Sequence, residues 1–255
     1  MHRIARGAGR CRAGGPLMTK IRTLATHEVV RWVYPRPPRE GSEVGLAVGT
    51  AIDRALSRFG HEFRTGRRPT ASAMRALAES VLDEELEANA AELAPTDRKV
   101  VLAQVEGVLA AFRRSELFGL SRPRTRLIAI GTDVGIYAQP DYWDRRGRFY
   151  EMKSYRAIPP PPDVALQLRL FQLAYPGFES VLVCIDRHHE PVETTSLVLP
   201  PPTPEEAAAT LRRAYDLGRE HGQEKVLEYI DAPTVRYPVP APLPDQGPGE
   251  PASPG

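Results

Sequence analysis

The chain has 255 residues, 42% of them hydrophobic, enough for a core of ordinary size with loose ends. Its formal charge is +2, but four arginines and no acid fall in residues 1–17, leaving 30 basic against 32 acidic residues elsewhere, a net of −2. A generally basic nucleic-acid coat is therefore excluded, and two cysteines exclude a disulfide framework or a four-cysteine metal site.

Residues 1–17, "MHRIARGAGRCRAGGPL", lack the apolar run of about 7–15 residues that marks a signal peptide. They read as a disordered basic leader or an over-extended start, with Met18 opening the protein proper. The stretch 23–33, "TLATHEVVRWV", has the pattern of a short amphipathic helix stopped by "YPRPP". Further helices are expected at about 43–60, 70–93 and 97–118, the last capped by Thr96 or Asp97. The pattern then shortens. Strands are expected at 124–130, 134–143 and 147–155, the last two joined by a turn at "DRRG". After "PPPP" come a helix at 163–175, strands at 180–186 and 192–199, and a helix over 203–229. The Pro-rich residues 231–255 read as a disordered tail. Residues 18–230 thus predict one α/β domain, with a mixed central sheet flanked by helices and a helical N-terminal half. No stretch approaches the roughly 18 apolar residues of a membrane span, so a soluble cytoplasmic protein without membrane contact is expected.

The segment "QPDYWDRRGRFYEMKSYR" (139–156) holds the chemistry. In a hairpin, Asp141 would face Glu151 and Lys153, while Tyr150 and Met152 turn the other way. Carboxylates brought together repel unless a cation lies between them, and hard oxygen donors suit Mg²⁺ or Mn²⁺. An adjacent lysine can orient or deprotonate water, or neutralise charge growing on a phosphate. Each half of the pattern is weak alone. Pro-Asp recurs at 162–163 and 244–245, and Glu-x-Lys on a strand is commonly a solvated ion pair.

In full, "PD-x9-E-x-K" at 140–153 resembles the PD-(D/E)XK nuclease superfamily, whose members have a restriction-endonuclease-like core. "TLATHEVVRWVYPRP" (23–37), "GTAIDRAL" (49–56), "YAQPDYWD" (137–144) and "QLRLFQLAY" (167–175) are similar to motifs of its RecB-nuclease-like branch. The resemblance spans about residues 23–200. It implies a divalent-metal-dependent deoxyribonuclease of repair, recombination or defence, acting on single strands or ends, often with a helicase or other DNA-processing partner. Asp141, Glu151, Asp53 and the Met152 carbonyl would hold Mg²⁺ or Mn²⁺. Lys153 would position the attacking water, with Gln167 helping to hold it or the scissile phosphate.

Three positions depart from the branch. Asp53 stands in place of its metal-binding histidine, and could instead pair with Arg54 or Arg58 on a helix surface. Phe171 replaces the motif tyrosine, with Tyr175 one turn on. Tyr34 stands where iron–sulfur members keep a cysteine, and without a C-terminal cysteine trio an iron–sulfur cluster is excluded.

Arg113, Arg114, Arg122, Arg124 and Arg126 precede the motif, and Arg145, Arg146, Arg148 and Arg156 interleave with Tyr142, Trp143, Tyr150 and Tyr155. Arg124, Arg126, Arg148, Tyr155 and Arg156 are the candidate nucleic-acid contacts, combining phosphate-binding cations with stacking rings. His188 and His189 have no second ligand pair and read as turn residues. No Gly-rich phosphate loop or Gly-x-Ser-x-Gly elbow is present, which disfavours ATP hydrolysis and serine hydrolase chemistry. Two other readings stay open: a non-catalytic nucleic-acid-binding or scaffolding module on the same fold, and an α/β protein carrying a chance motif.

Overall fold

Residues 20–35, 42–64, 70–88, 93–226 and 231–242 are described by a computed structural model, and the basic leader lies outside them. Ile21, Thr23 and Leu24 are buried, and Lys20–Ala25 forms strand β1, so the helix expected from residue 23 begins only at α1 (Thr26–Val33). The strand wins because its partner is distant. Arg22 to Ala25 pair in parallel with Val134 to Tyr137 of β3 (Val134–Ala138). Thr26 Oγ1 then donates to the Tyr137 carbonyl at 2.8 Å, and the Glu28 carboxylate accepts the Ala25 N–H at 2.6 Å, which turns the chain into α1.

Three helices follow as the periodicity predicts: α2 (Ser42–Arg64), α3 (Ala71–Ala88) and α4 (Pro95–Arg114). Neither expected cap opens α4. Ala94 is its N-cap, Pro95 takes the first turn and Asp97 lies inside that turn. β2 (Arg126–Ile130) pairs antiparallel with β3, and the strand expected at 134–143 is broken by Pro140, which has no N–H for a ladder. The chain resumes as β4 (Tyr142–Trp143) and turns at Gly147, whose φ of 83° suits glycine. It returns as β5 (Arg148–Lys153). Next come α5 (Pro162–Ala174), β6 (Glu179–Asp186), β7 (Glu193–Leu199) and α6 (Pro204–His221). Thr203 caps α6 by accepting the Glu206 N–H at 3.2 Å, while the Glu206 carboxylate accepts the Thr203 N–H at 2.9 Å.

Two corrections fall at the C-terminal end. The last helix stops at His221, and β8 (Gln223–Val226) pairs antiparallel with β1. The stretch expected to be a disordered tail supplies β9 (Thr234–Tyr237), which pairs in parallel with β2.

The architecture is mixed α/β, with six helices and two mixed sheets among the described residues, ordered β8-β1-β3-β2-β9 and β4-β5-β6-β7. β6 explains how the layers join. Its Val181, Val183 and Ile185 pack with α2, α3 and α4, while Leu182 and Cys184 face α1, α5, α6 and the first sheet. A strand covered on both faces needs the continuous apolar run that "SVLVCID" provides.

Candidate active site

β4 and β5 pair antiparallel, Tyr142 opposite Tyr150 and Trp143 opposite Phe149, and extending that register sets Asp141 opposite Glu151. Asp141 lies in the link between β3 and β4, not in a strand as expected. Its Oδ2 accepts the Met152 N–H at 2.9 Å, which spends one oxygen on fixing the link to β5. Glu151 and Lys153 share the face of β5 that carries Phe149, whereas Tyr150 and Met152 enter the core made with α2–α4.

Asp141 and Glu151 are neighbours by this register, and Glu151 is only 4% exposed. Both acids are held above the usual carboxylate range, first by loss of solvent. For Glu151 the charge of Asp141 adds to this, while for Asp141 the Met152 N–H works against it. Lys153 Nζ donates to Glu151 Oε1 at 2.7 Å and to Gln167 Oε1 of α5 at 3.0 Å. Burial pulls its ammonium down, but Glu151 and Asp141 outweigh that and keep it above its ordinary value. Lys153 Nζ is therefore held from two sides, by Glu151 and Gln167.

A cleft of about 560 Å³ opens where β5 and β6 end, walled by α1, α2 and α5. Parallel strands that end together present loops and helix ends to one crevice, a common ligand position in α/β sheets. Lys153 and Gln167 line this cleft, as do Met152, Tyr155 and Asp53. Asp53 does not pair with its helix neighbours. Arg58 binds Glu84 of α3 at 2.7 Å, and Arg54 binds Glu85. Although the Asp53 side chain reaches solvent, the cleft walls and then Asp141 raise its carboxyl, with Lys153, Arg122 and Arg187 opposing. The charge of Asp141 thus raises both Glu151 and Asp53, and Asp53 adds to the rise of Glu151.

Among the described residues, no group of three His, Cys, Asp and Glu forms a ready cage for a metal ion. The donor set is instead the two facing carboxylates, Asp141 and Glu151, with Asp53 lining the cleft. Mg²⁺ is usually held by one or two carboxylates, with water and substrate phosphate completing its shell, so the pair fits that ion chemically.

The other departures have structural reasons. Phe171 is buried edge-on to Phe149, with ring centres 6.2 Å apart. Tyr175 cannot stand in for the missing hydroxyl, because its own donates to the Arg124 carbonyl at 2.5 Å beneath Arg126.

The arginine and aromatic cluster is only partly available for a ligand. Arg148 is tied to Asp144 at 2.8 Å and lies over Tyr150, and Arg126 donates to the Ala174 carbonyl at 3.2 Å and covers Tyr175. Tyr142 and Tyr150 are core residues. Arg122, Arg124 and Arg156 are exposed, and Tyr155 lines the cleft.

Arg187, His27 and Asp163, which the sequence did not single out, line the cleft, as does His188. His188 does sit in a turn, its N–H donating to Asp186 Oδ1 at 3.0 Å, but that turn closes β6 directly over the site. The available signal was its place, immediately after a strand parallel to the one bearing Glu151 and Lys153.

No family model matches the chain, and no curated protein matches it by sequence. Among solved structures, SSO0001 is 15% identical, with 79% of this chain and 78% of that one covered and a TM-score of 0.36. A candidate exonuclease from Eubacterium rectale is 12% identical, with 67% and 77% covered and a TM-score of 0.37. Likeness this loose carries no conclusion about chemistry, which rests on the geometry.

Proposed function

We propose that the chain is a divalent-metal-dependent deoxyribonuclease on a restriction-endonuclease-like core of the RecB type. The carrying observation is that Asp141 and Glu151 face each other across the strand register beside Lys153, which bonds both Glu151 and Gln167 and lines the cleft with Gln167. Such a pair is costly unless a cation is received there.

Asp141 and Glu151 would hold Mg²⁺ or Mn²⁺, with the Met152 carbonyl and Asp53 as additional oxygen donors. When bound, the ion supplies Lewis acidity toward a phosphate oxygen and makes a nearby water more acidic. Lys153 Nζ, fixed from both sides, sets the position of the attacking water and offsets negative charge as the phosphate becomes five-coordinate. Gln167 holds the lysine through its oxygen and leaves its amide to donate to water or phosphate. The cleft walls limit bulk water around these groups. The nucleic-acid contacts proposed at Arg124, Tyr155 and Arg156 rest on exposure or on position in the cleft. The substrate is single-stranded DNA or DNA ends. The protein works in the cytoplasm in repair, recombination or defence, alongside a helicase or other DNA-processing protein.

Incubating labelled single- and double-stranded DNA with Mg²⁺ or Mn²⁺ tests this reading, with Lys153→Ala as control. We expect cleavage by the wild type and a loss of about a hundredfold or more in the variant. Equal degradation by both, or none by either with any metal, overturns it.

One observation favours the second reading, a non-catalytic nucleic-acid-binding or scaffolding module: no three-residue ligand cage forms among the described residues. Binding without cleavage in the same experiment would select it.

A further inference from the structure

Two full cations line the cleft among the described residues, Lys153 and Arg187. Glu151 answers the charge of Lys153 at 2.7 Å. Arg187 has no such answer. Its Nε donates to His188 Nε2 at 3.3 Å and its Nη1 makes a long contact of 3.5 Å with Ser154 Oγ, neither partner a carboxylate. It forms no ion pair among the described residues, and Asp186 and Asp53 act on it only at a distance.

The position of Arg187 is nevertheless built. Asp186 ends β6, and its Oδ1 accepts the His188 N–H at 3.0 Å, closing a tight Asx turn around Arg187. The Arg187 N–H donates to the Ser154 carbonyl at 3.4 Å, tying the turn to the residue after Lys153. A half-buried guanidinium without a carboxylate in ion-pair contact costs stability unless an anion completes it. Its fork of N–H donors matches two oxygens of a phosphate.

We propose that Arg187 is a phosphate clamp, gripping a backbone phosphate of the substrate strand adjacent to the one at Lys153. This rests on the nuclease reading for what the strand is, and it narrows the substrate. The clamp lies inside a concave cleft, where a flexible single strand can turn a phosphate inward and a rigid stacked duplex cannot.

The test is binding of a fluorescein-labelled oligodeoxythymidylate, followed by anisotropy over a range of salt. Ca²⁺ replaces Mg²⁺ so that the acids are neutralised without turnover, and wild type, Arg187→Gln and Arg187→Lys are compared. We expect Arg187→Gln to bind about tenfold more weakly or worse. The slope of log affinity against log salt should fall by about 0.7, the loss of one phosphate contact on a single strand. Arg187→Lys should keep the wild-type slope because it keeps the charge. Wild-type affinity and slope in Arg187→Gln overturn the clamp, as does a wild type that shows no salt-dependent binding. A parallel Mn²⁺ cleavage assay separates the two ideas. Binding lost with Arg187 but no cleavage by the wild type keeps the clamp and sinks the nuclease. Cleavage by the wild type with Arg187→Gln unimpaired in binding does the reverse.

Discussion

Phe171 follows Gln167 by one turn of α5, yet its ring is 2% exposed and meets Phe149 edge-on. A hydroxyl added there would be buried, and we predict that Phe171→Tyr lowers unfolding free energy by about 1–3 kcal/mol without increasing cleavage. Urea denaturation and a cleavage assay on one preparation check both halves. A gain in activity would mean that the ring reaches the site after all. Asp144, within the motif segment, is bonded to Arg146, Arg148 and Tyr150 and not to the site. Burial pushes its carboxyl up, but bonds from Arg148, Tyr150 and the Arg146 N–H outweigh that and hold it below the usual range. A lowered folded value means full stabilisation above the unfolded pKa of about 3.9, and its loss as pH falls through the folded value. Asp144→Asn should therefore cost about 1–3 kcal/mol at neutral pH, with the gap to wild type closing below about pH 4 in acid titrations of unfolding. At this scale the acid pair and Lys153 could be read in the sequence from a face-sharing pattern. Arg187 could not, because its significance lies in its place in the cleft and the absence of an ion-pair partner among the described residues.

Helix α6 lies against β3 closely enough that a Cβ on Gly218 would strike the Val134 side chain. Gly218→Ala should accordingly destabilise by about 1–3 kcal/mol, despite the better helix propensity of alanine. Thermal unfolding decides the sign, and a more stable variant would show the interface to be looser than its geometry. Elements whose pattern is local were legible: α2 to α5 and strands β5, β6 and β7 fall close to their expected positions. Elements made by distant partners were not. "GQEKV" continues the polar pattern of α6, and only the edge of β1, some two hundred residues earlier, makes Gln223–Val226 a strand. Thr234–Tyr237 lies between Pro233 and Pro238 and looks like tail, but β2 offers its free edge. Residues 23–25 could serve either pattern, and pairing with β3 decides for strand.

Across the whole molecule, the cleft is assembled from positions as far apart as His27 and His188, carried on α1, α2, α5 and the ends of β5 and β6. Lys153 and Gln167, which line it, and Asp141 and Glu151, which flank Lys153, fall within 27 consecutive residues, which is why they could be picked out beforehand. Its walls come from the tertiary fold and could not. The central claim is that the carboxyl pair exists to receive a divalent cation that cleavage requires. The most direct measurement is the single-turnover rate of single-stranded DNA cleavage as Mn²⁺ is titrated, in wild type and Glu151→Gln. We predict a rate that saturates with Mn²⁺, vanishes in EDTA and falls by about a hundredfold or more in Glu151→Gln. A rate independent of Mn²⁺, or equal in the two proteins, would contradict it.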